Sequence, residues 1–163
     1  MQQTVSTRFQ ELLAAVNNRL RHKPGRVIYV VPGSTIVWDD CCDGQLTARL
    51  ASLAPVMTSG GNMVNCGVQY WRATGELTLI RCALVIYNQG VAPVPSALNK
   101  EGKEALDDSD VLLATLGDFE WVTGISSWGA LGPNAGCRGI TVNFTFNLDH
   151  PVYSGNPSYP SCS

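Results

Sequence analysis

Six cysteines supply most of the reactive side chains of this chain: Cys41, Cys42, Cys66, Cys82, Cys137 and Cys162. Thiolates bind zinc, and thiols join as disulfides in oxidising compartments. No CxxC pair occurs, so the spacing gives no signature of a zinc site. Because no signal peptide is apparent at the start of the sequence, we expect reduced thiols in a protein that stays in the cytosol. Two alternatives stay open: Cys41 or Cys42 converges with Cys66 and Cys137 on a metal, or some of the six form a structural disulfide.

Carboxylates and histidines give weaker signals than the cysteines. Asp39, Asp40 and Asp43 surround the Cys-Cys pair and could hold a divalent cation, although aspartates in such a polar corner commonly form turns. His22 and His150, the only histidines, stand at the ends of predicted elements. The motifs HExxH, GxSxG and GxxxxGK[ST] are missing, and no nucleophile has a base close to it in the sequence. We therefore predict a protein that is not an enzyme, with no catalytic residue, no metal and no cofactor.

Length and charge indicate one domain with a lightly charged surface. The chain has 163 residues, of which 15% are charged, and a net charge of −2. Since roughly a quarter of residues is the usual charged share, we expect another subunit to cover part of the surface. Binding to phosphate backbones needs clustered Lys and Arg, and the single basic group, in residues 19–26, is interpreted as a helix end. No apolar run reaches the length of about twenty residues that spans a bilayer.

Two helices are predicted from apolar residues at helical spacing. The first carries its apolar face between Phe9 and Leu20, with a capping hydroxyl among residues 4–7, and ends at Lys23-Pro24-Gly25. The second begins at Ser96. Residues 107–109 can start a new helix, so we expect one bent helix or two consecutive ones in this region, the later part being well buried.

Strands are predicted from β-branched runs and from alternation of apolar and polar residues. Residues 26–31 and 36–38 form two short strands around a Pro-Gly turn, and a strict alternation begins at Gln45. We interpret this unit as the first part of one antiparallel sheet. Residues 140–148 alternate between an apolar and a polar face, which predicts the last strand.

The remaining segments are predicted as a hairpin and two long loops. Residues 68–72 and 76–87 form the hairpin through a turn at residues 73–75, and the second of these strands is apolar on both faces, as in a central strand. Glycine-rich residues 53–67 and 126–138 are predicted to be loops.

These elements together predict an α+β fold. An antiparallel or mixed β-sheet is flanked by an N-terminal helix and by a helix before the last strand. We expect residues 1–163 to form a single domain, with a core at residues 4–149 and an irregular C-terminal tail at residues 150–163.

Two stretches of the sequence resemble the neck proteins of long-tailed phages that infect actinobacteria. The first is VPGSTIVWDDCCDGQLTARL at residues 31–50, with its Trp-Asp-Asp-Cys-Cys centre, and the second is GALGPNAGCRGITVNFTFNL at residues 129–148. The order of helix, strands, helix and last strand is similar to that of tail terminators, and the resemblance covers most of residues 4–149. At Thr47 and Ala48 the chain departs from the Trp or Val that is common in that family.

The resemblance implies a structural virion protein without catalytic residues. Tail terminators have a mixed sheet that carries helices, and six copies close a ring that ends the tail tube and joins it to the head connector. The implied partners are therefore further copies of the chain, the major tail tube protein and the connector or stopper, with DNA passing through the lumen and no membrane. Such a protein is assembled in the host cytoplasm and resides in the virion tail or neck. The candidate partner-contact residues lie in the two predicted loops and the tail: Met57, Met63, Val64, Trp128, Tyr153 and Tyr159.

Two other functions stay open beside the tail terminator. Another head-to-tail connector or stopper would also form a ring, of a different kind. A small cysteine-rich metal-binding domain or enzyme would be a protein of a different class, and it would use Cys41, Cys42, Cys66 or Cys137.

Overall fold

One mixed sheet and two helices make up the part of the chain that the computed structural model describes, which is residues 4–28, 41–57, 68–84, 90, 92–134 and 136–149. In chain order the elements are α1 (Val5–Arg19), β1 (Arg26–Ile28), β2 (Gln45–Met57), β3 (Val68–Cys82), α2 (Pro95–Gly117), β4 (Val122–Asn134) and β5 (Cys137–Leu148). The strands lie side by side in the order β1-β2-β3-β5-β4. The predicted α+β class is confirmed, with a helix at the N-terminus and another before the final strands.

The first helix, α1, forms where the sequence predicts it. Thr4 is the N-cap, and its hydroxyl oxygen accepts a hydrogen bond of 3.2 Å from the backbone N–H of Thr7. This bond satisfies one of the donors that a helix N-terminus leaves unpaired. The helix ends at Arg19, because Leu20 is already extended. Its apolar face is buried against the sheet, as the helical spacing predicts.

The pairing of β1 with β2 is parallel, so the predicted antiparallel arrangement is wrong for this pair. Arg26 pairs with Gln45 and Val27 with Leu46, so both strands start at the same end of the sheet. Residues 29–44 separate the two strands, which is enough chain for the crossover of about a dozen residues that a parallel pair requires. The predicted strand at residues 36–38 lies outside the described residues.

The predicted hairpin at residues 73–75 is wrong, because β3 is one continuous strand. It pairs antiparallel with β2 on one side and with β5 on the other, and Ala73, Thr74 and Gly75 all pair with both neighbours. Packing against β5 requires a residue without a side chain at Gly75, and this glycine does not form a turn. A Cβ atom added there would lie 2.7 Å from Cε2 of Phe144, whose ring is fully buried against the strand.

We expect Gly75→Ala to lower the free energy of unfolding by about 1–3 kcal/mol, since overpacking displaces buried groups. The added methyl group would have to move the Phe144 ring, which packs against Phe146 and Trp121. Chemical denaturation monitored by circular dichroism measures this change. Gly129→Ala in β4 is the control, because its nearest neighbour would be Cγ2 of Thr141 at 3.9 Å. Equal stabilities of the two variants would contradict the packing explanation.

A single helix, α2, covers the region in which the sequence predicts one bent helix or two consecutive helices, so the alternative of two helices is wrong. Pro95 occupies its first turn, and Val94 precedes it as an N-cap without a side-chain hydrogen bond. The predicted restart at residues 107–109 falls in the helix interior. The helix continues there because the polar side chains have other partners: the Ser109 hydroxyl donates to the Ala105 carbonyl at 2.7 Å, and Asp108 binds Arg81 of β3.

Both predicted loops are partly strand. Residues 53–57 are the end of β2, and residues 126–134 belong to β4, which forms a hairpin with β5. Three register shifts interrupt the pairing of β4 with β5, near Gly124, Ser127 and Asn134. These shifts break the period of two by which a strand is recognised in a sequence. Residues 58–67 lie outside the described part of the chain.

The hydrophobic core lies between the helices and one face of the sheet. Four aromatic rings meet there, with centroids 5.4–6.1 Å apart in the contacts between them: Phe9, Trp121, Phe144 and Phe146. The residues of β3 and β5 alternate between the two sides of the sheet, and the opposite face carries their threonines. Among the described residues, neither helix is long and apolar enough to cross a membrane.

Candidate assembly surface and cysteine cluster

The most unusual surface in the described part of the chain is the outer edge of β4. This strand is the last of the sheet and pairs with β5 alone among the described strands. Its thirteen residues, VTGISSWGALGPN, include no charged side chain. Unpaired N–H and C=O groups of an edge strand can pair with another chain, and charged side chains usually prevent this. The β4 edge has no such charges, and the features of this strand that limit pairing are its register shifts and Pro133.

Two large apolar side chains increase the tendency of this edge to associate. Ile125 is 44% exposed and Trp128 is 45% exposed. Between Ser127 and Leu131 the pairing with β5 is regular, so Trp128 lies in a short, regularly paired segment between two register shifts. The irregular part is fixed to β5 by side chains: the Ser126 hydroxyl donates to the Asn143 carbonyl at 3.1 Å, and the Asn143 amide donates to Ser127 at 2.9 Å. The edge therefore has a defined shape with apolar groups on it.

Of the predicted contact residues, Trp128 is the one whose surroundings the structure describes, and it is exposed as a contact residue should be. It lies on a strand rather than on the predicted loop. Met57 is the last residue of β2, and its side chain is outside the described part. Ile125 was not among the predicted contact residues, and the register shift between Ile125 and Ser127 breaks the alternation that would reveal the strand. The other candidates lie outside the described residues: Met63, Val64, Tyr153 and Tyr159.

The polar face of the sheet carries an ion pair between Arg49 and Glu76. The guanidinium of Arg49 donates two hydrogen bonds to the Glu76 carboxylate, at 2.8 Å and 2.7 Å. These hydrogen bonds, together with the charge of Glu76, raise the pKa of the Arg49 side chain above its ordinary value, against the opposing effect of burial. Next to the pair, the hydroxyls of Thr78 and Thr141 lie 3.2 Å apart. A bidentate pair of this kind fixes neighbouring strands and offers no group for proton transfer.

Four cysteines from three segments meet at one end of the sheet and form two disulfides. Cys41 is joined to Cys137 with Cα atoms 5.7 Å apart, and Cys42 is joined to Cys82 with Cα atoms 4.2 Å apart. Cys82 and Cys137 are direct cross-strand partners on β3 and β5. The expectation of reduced thiols is therefore wrong for these four residues, because the topology brings the adjacent Cys41 and Cys42 onto the two strand ends.

Two of the cysteines that the sequence suggested as metal ligands are joined to each other in a disulfide instead. Cys41 and Cys137 bind each other, and Cys66 lies outside the described part, as do Asp39, Asp40 and His150. Asp43 forms the turn before β2, where its carbonyl accepts a hydrogen bond of 2.6 Å from the N–H of Gly25. Within the described residues no group of three or more His, Cys, Asp or Glu side chains is placed to hold a metal ion.

A shallow surface depression of about 330 Å³ lies beside α2. Its lining mixes three cations with two carboxylates, so it does not favour one sign of ligand. The lining residues are Arg21, Ser96, Asn99, Lys100, Lys103, Glu104 and Asp107.

Comparison with known proteins adds no family to this description. No protein-family model matches the chain, and a search of curated proteins finds no significant match. The function is therefore argued from the fold, the β4 edge and the resemblance of the two sequence stretches.

Proposed function

We propose that this protein is a structural protein of a phage virion, a tail terminator whose copies form a ring at the end of the tail tube. The ring stops polymerisation of the tube and joins it to the head connector. Two features support the proposal: the resemblance of residues 31–50 and 129–148 to phage neck proteins, and an α+β fold with a helix at the N-terminus and another before the final strands.

The observation of the structure that carries the proposal is the edge of β4, which has no charged side chain and exposes Ile125 and Trp128. A strand of this length without charge favours pairing or packing with another protein surface. In a ring every copy uses one surface to bind a different surface of the next copy, and the contacts close when the rotation between copies closes. We assign the β4 edge, with Ile125 and Trp128, to one side of this contact between copies of the chain.

The charge of the chain is compatible with the passage of DNA. Net charge is −2 over 163 residues, and a lumen without clustered Lys and Arg does not retain phosphate backbones. In the proposed assembly the other partners are the major tail tube protein below the ring and the connector above it. The protein would then be assembled in the host cytoplasm and remain in the virion neck.

Replacing Ile125 with Lys and Trp128 with Glu is expected to prevent ring formation. Truncating an aromatic anchor at an interface commonly costs about 2–4 kcal/mol, and burying a new charge adds to that cost, so subunit affinity should fall by roughly 100-fold or more. Native mass spectrometry measures the assembly, which for a hexamer is six copies of the 17.5 kDa chain. The double variant should be monomeric, with an unchanged circular dichroism spectrum.

The matched control is Leu106→Glu, which adds a charge at an apolar side chain of α2 that is 62% exposed. This variant should still form the ring. A wild-type protein that stays monomeric at all concentrations would contradict the proposed function, and a ring that survives the double substitution would contradict the role of β4. Electron microscopy of tails incubated with the protein separates a terminator, which binds the end of the tube, from a connector that binds elsewhere.

A further inference from the structure

The two disulfides differ in their exposure to solvent, although they share one corner of the fold. Cys41 and Cys137 are buried, with exposed fractions of 6% and 8%, and they pack against the fully buried Ile80. Cys42 and Cys82 are both exposed. One disulfide is therefore covered by protein and the other faces the solvent.

Exposure decides which of two disulfides a small thiol can reach. Exchange begins when a thiolate attacks one sulfur along the S–S axis, so the rate depends on access to that sulfur. A reductant in solution meets less protein at Cys42 and Cys82, because both residues are exposed. To approach Cys41 or Cys137 it must wait for the turn of residues 41–44 to leave the sheet.

Several contacts hold that turn in place besides the disulfides. The N–H of Gly25 donates to the Asp43 carbonyl at 2.6 Å, and the N–H of Arg26 donates to the Gly44 carbonyl at 3.2 Å. On the neighbouring strand ends, the N–H of Ala83 donates to the Gly136 carbonyl at 2.7 Å. Loss of the exposed disulfide alone leaves these contacts and the buried disulfide intact.

We propose that Cys42–Cys82 is a site of thiol–disulfide exchange with low-molecular-weight thiols and dithiols, while Cys41–Cys137 stays oxidised and keeps the turn attached. The attacking thiolate forms a mixed disulfide with Cys42 or Cys82, and the other cysteine leaves as a thiolate. The second thiol of a dithiol, or a second monothiol, then resolves the mixed disulfide. Two electrons pass from the reductant to the protein, and the reductant becomes a disulfide. This property goes beyond the proposed role in the tail and does not depend on it.

The test is timed reduction of the full-length, oxidised protein with dithiothreitol. Free thiols are blocked at each time point, and peptide mass spectrometry assigns them to individual cysteines, which separates the four residues from Cys66 and Cys162. Cys42 and Cys82 should become reactive roughly tenfold or more faster than Cys41 and Cys137. In guanidinium, where burial is lost, the difference should disappear. With glutathione in place of dithiothreitol, the adduct should appear on Cys82 or on Cys42, and fragment ions of the peptide distinguish Cys42 from the adjacent Cys41.

Three results would overturn the proposal. The first is equal rates for the two disulfides in the native protein, and the second is earlier reduction of Cys41–Cys137. The third is the recovery of all four cysteines as free thiols from protein purified in air without a reductant.

Discussion

Removing the Cys41–Cys137 disulfide is expected to lower the free energy of unfolding by about 4–5 kcal/mol in the absence of reductant. The two cysteines are 96 residues apart in the sequence, so the bond restricts a large part of the unfolded chain. Cys41→Ala/Cys137→Ala is the variant of choice, since alanine fits the buried site and leaves no thiol to exchange with Cys42–Cys82. Urea denaturation of the wild type and the variant measures the difference.

The single variants and the redox state provide the controls. Cys41→Ala and Cys137→Ala break the same bond, so each should cost about as much as the double variant, and their effects should not add. In a reductant strong enough to open both disulfides, the wild type should lose most of its advantage. If the single losses sum in the double variant, the two cysteines are not bonded to each other.

Asp108→Ala is expected to lower the free energy of unfolding by about 2–3 kcal/mol, because it leaves the partly buried Arg81 cation without its partner. The Arg81 guanidinium donates to Asp108 at 2.6 Å and 3.0 Å and to the His22 carbonyl at 2.7 Å. The side chains of Arg81 and Asp108 are only 15% and 8% exposed, so water cannot replace the lost carboxylate well. Thermal and chemical denaturation should both register the loss.

An exposed ion pair of the same type is the matched control. Arg19 and Asp118 also form a salt bridge, but their side chains are 48% and 58% exposed. Asp118→Ala should therefore cost less than about 1 kcal/mol. The double replacement Arg81→Met/Asp108→Leu should recover much of the stability lost in Asp108→Ala, since it removes the buried charge altogether. A double variant as unstable as the single one would show that the pair matters for more than charge compensation.

Periodicity in the sequence was sufficient for the elements whose environment is regular. The first helix carries its apolar residues at helical spacing, and β5 alternates strictly from Ile140 to Leu148, so both appear in the structure where the sequence predicts them. The same reasoning found the alternation of β2 from Gln45. In α1, in β5 and in the first part of β2 one face meets the core, which keeps the pattern unbroken; the pattern of β2 is lost at the register shift after Leu50.

The wrong predictions of secondary structure have one physical cause in common. At each of these positions the conformation depends on contacts with residues that are far away in the sequence. Gly75 looks like a turn residue until Phe144, a distant residue on β5, is placed against it. Asp108 looks like the start of a helix until Arg81 binds it from β3. The register shifts of β4 come from its fit to β5, so the sequence of β4 alone resembles a loop.

The cysteine pairing and the candidate surface were still harder to predict. Adjacent Cys41 and Cys42 point to opposite sides in an extended chain, and only the turn that leads into β2 brings both to neighbouring strands. Trp128 is a predicted contact residue because it lies in the glycine-rich stretch of residues 126–138. Ile125 is not, because nothing in the sequence shows that β4 is the edge of the sheet.

The central position of β3 has a consequence for synthesis of the protein on the ribosome. One of its two neighbours, β5, is made last among the strands, so the sheet stays half-built from Cys82 until residue 148 has been translated. At about 5–20 residues per second this takes roughly 3 to 13 s, besides the time needed to leave the exit tunnel. Throughout that interval one side of β3 has no partner strand, and an unpaired strand edge of this kind promotes aggregation of a nascent chain.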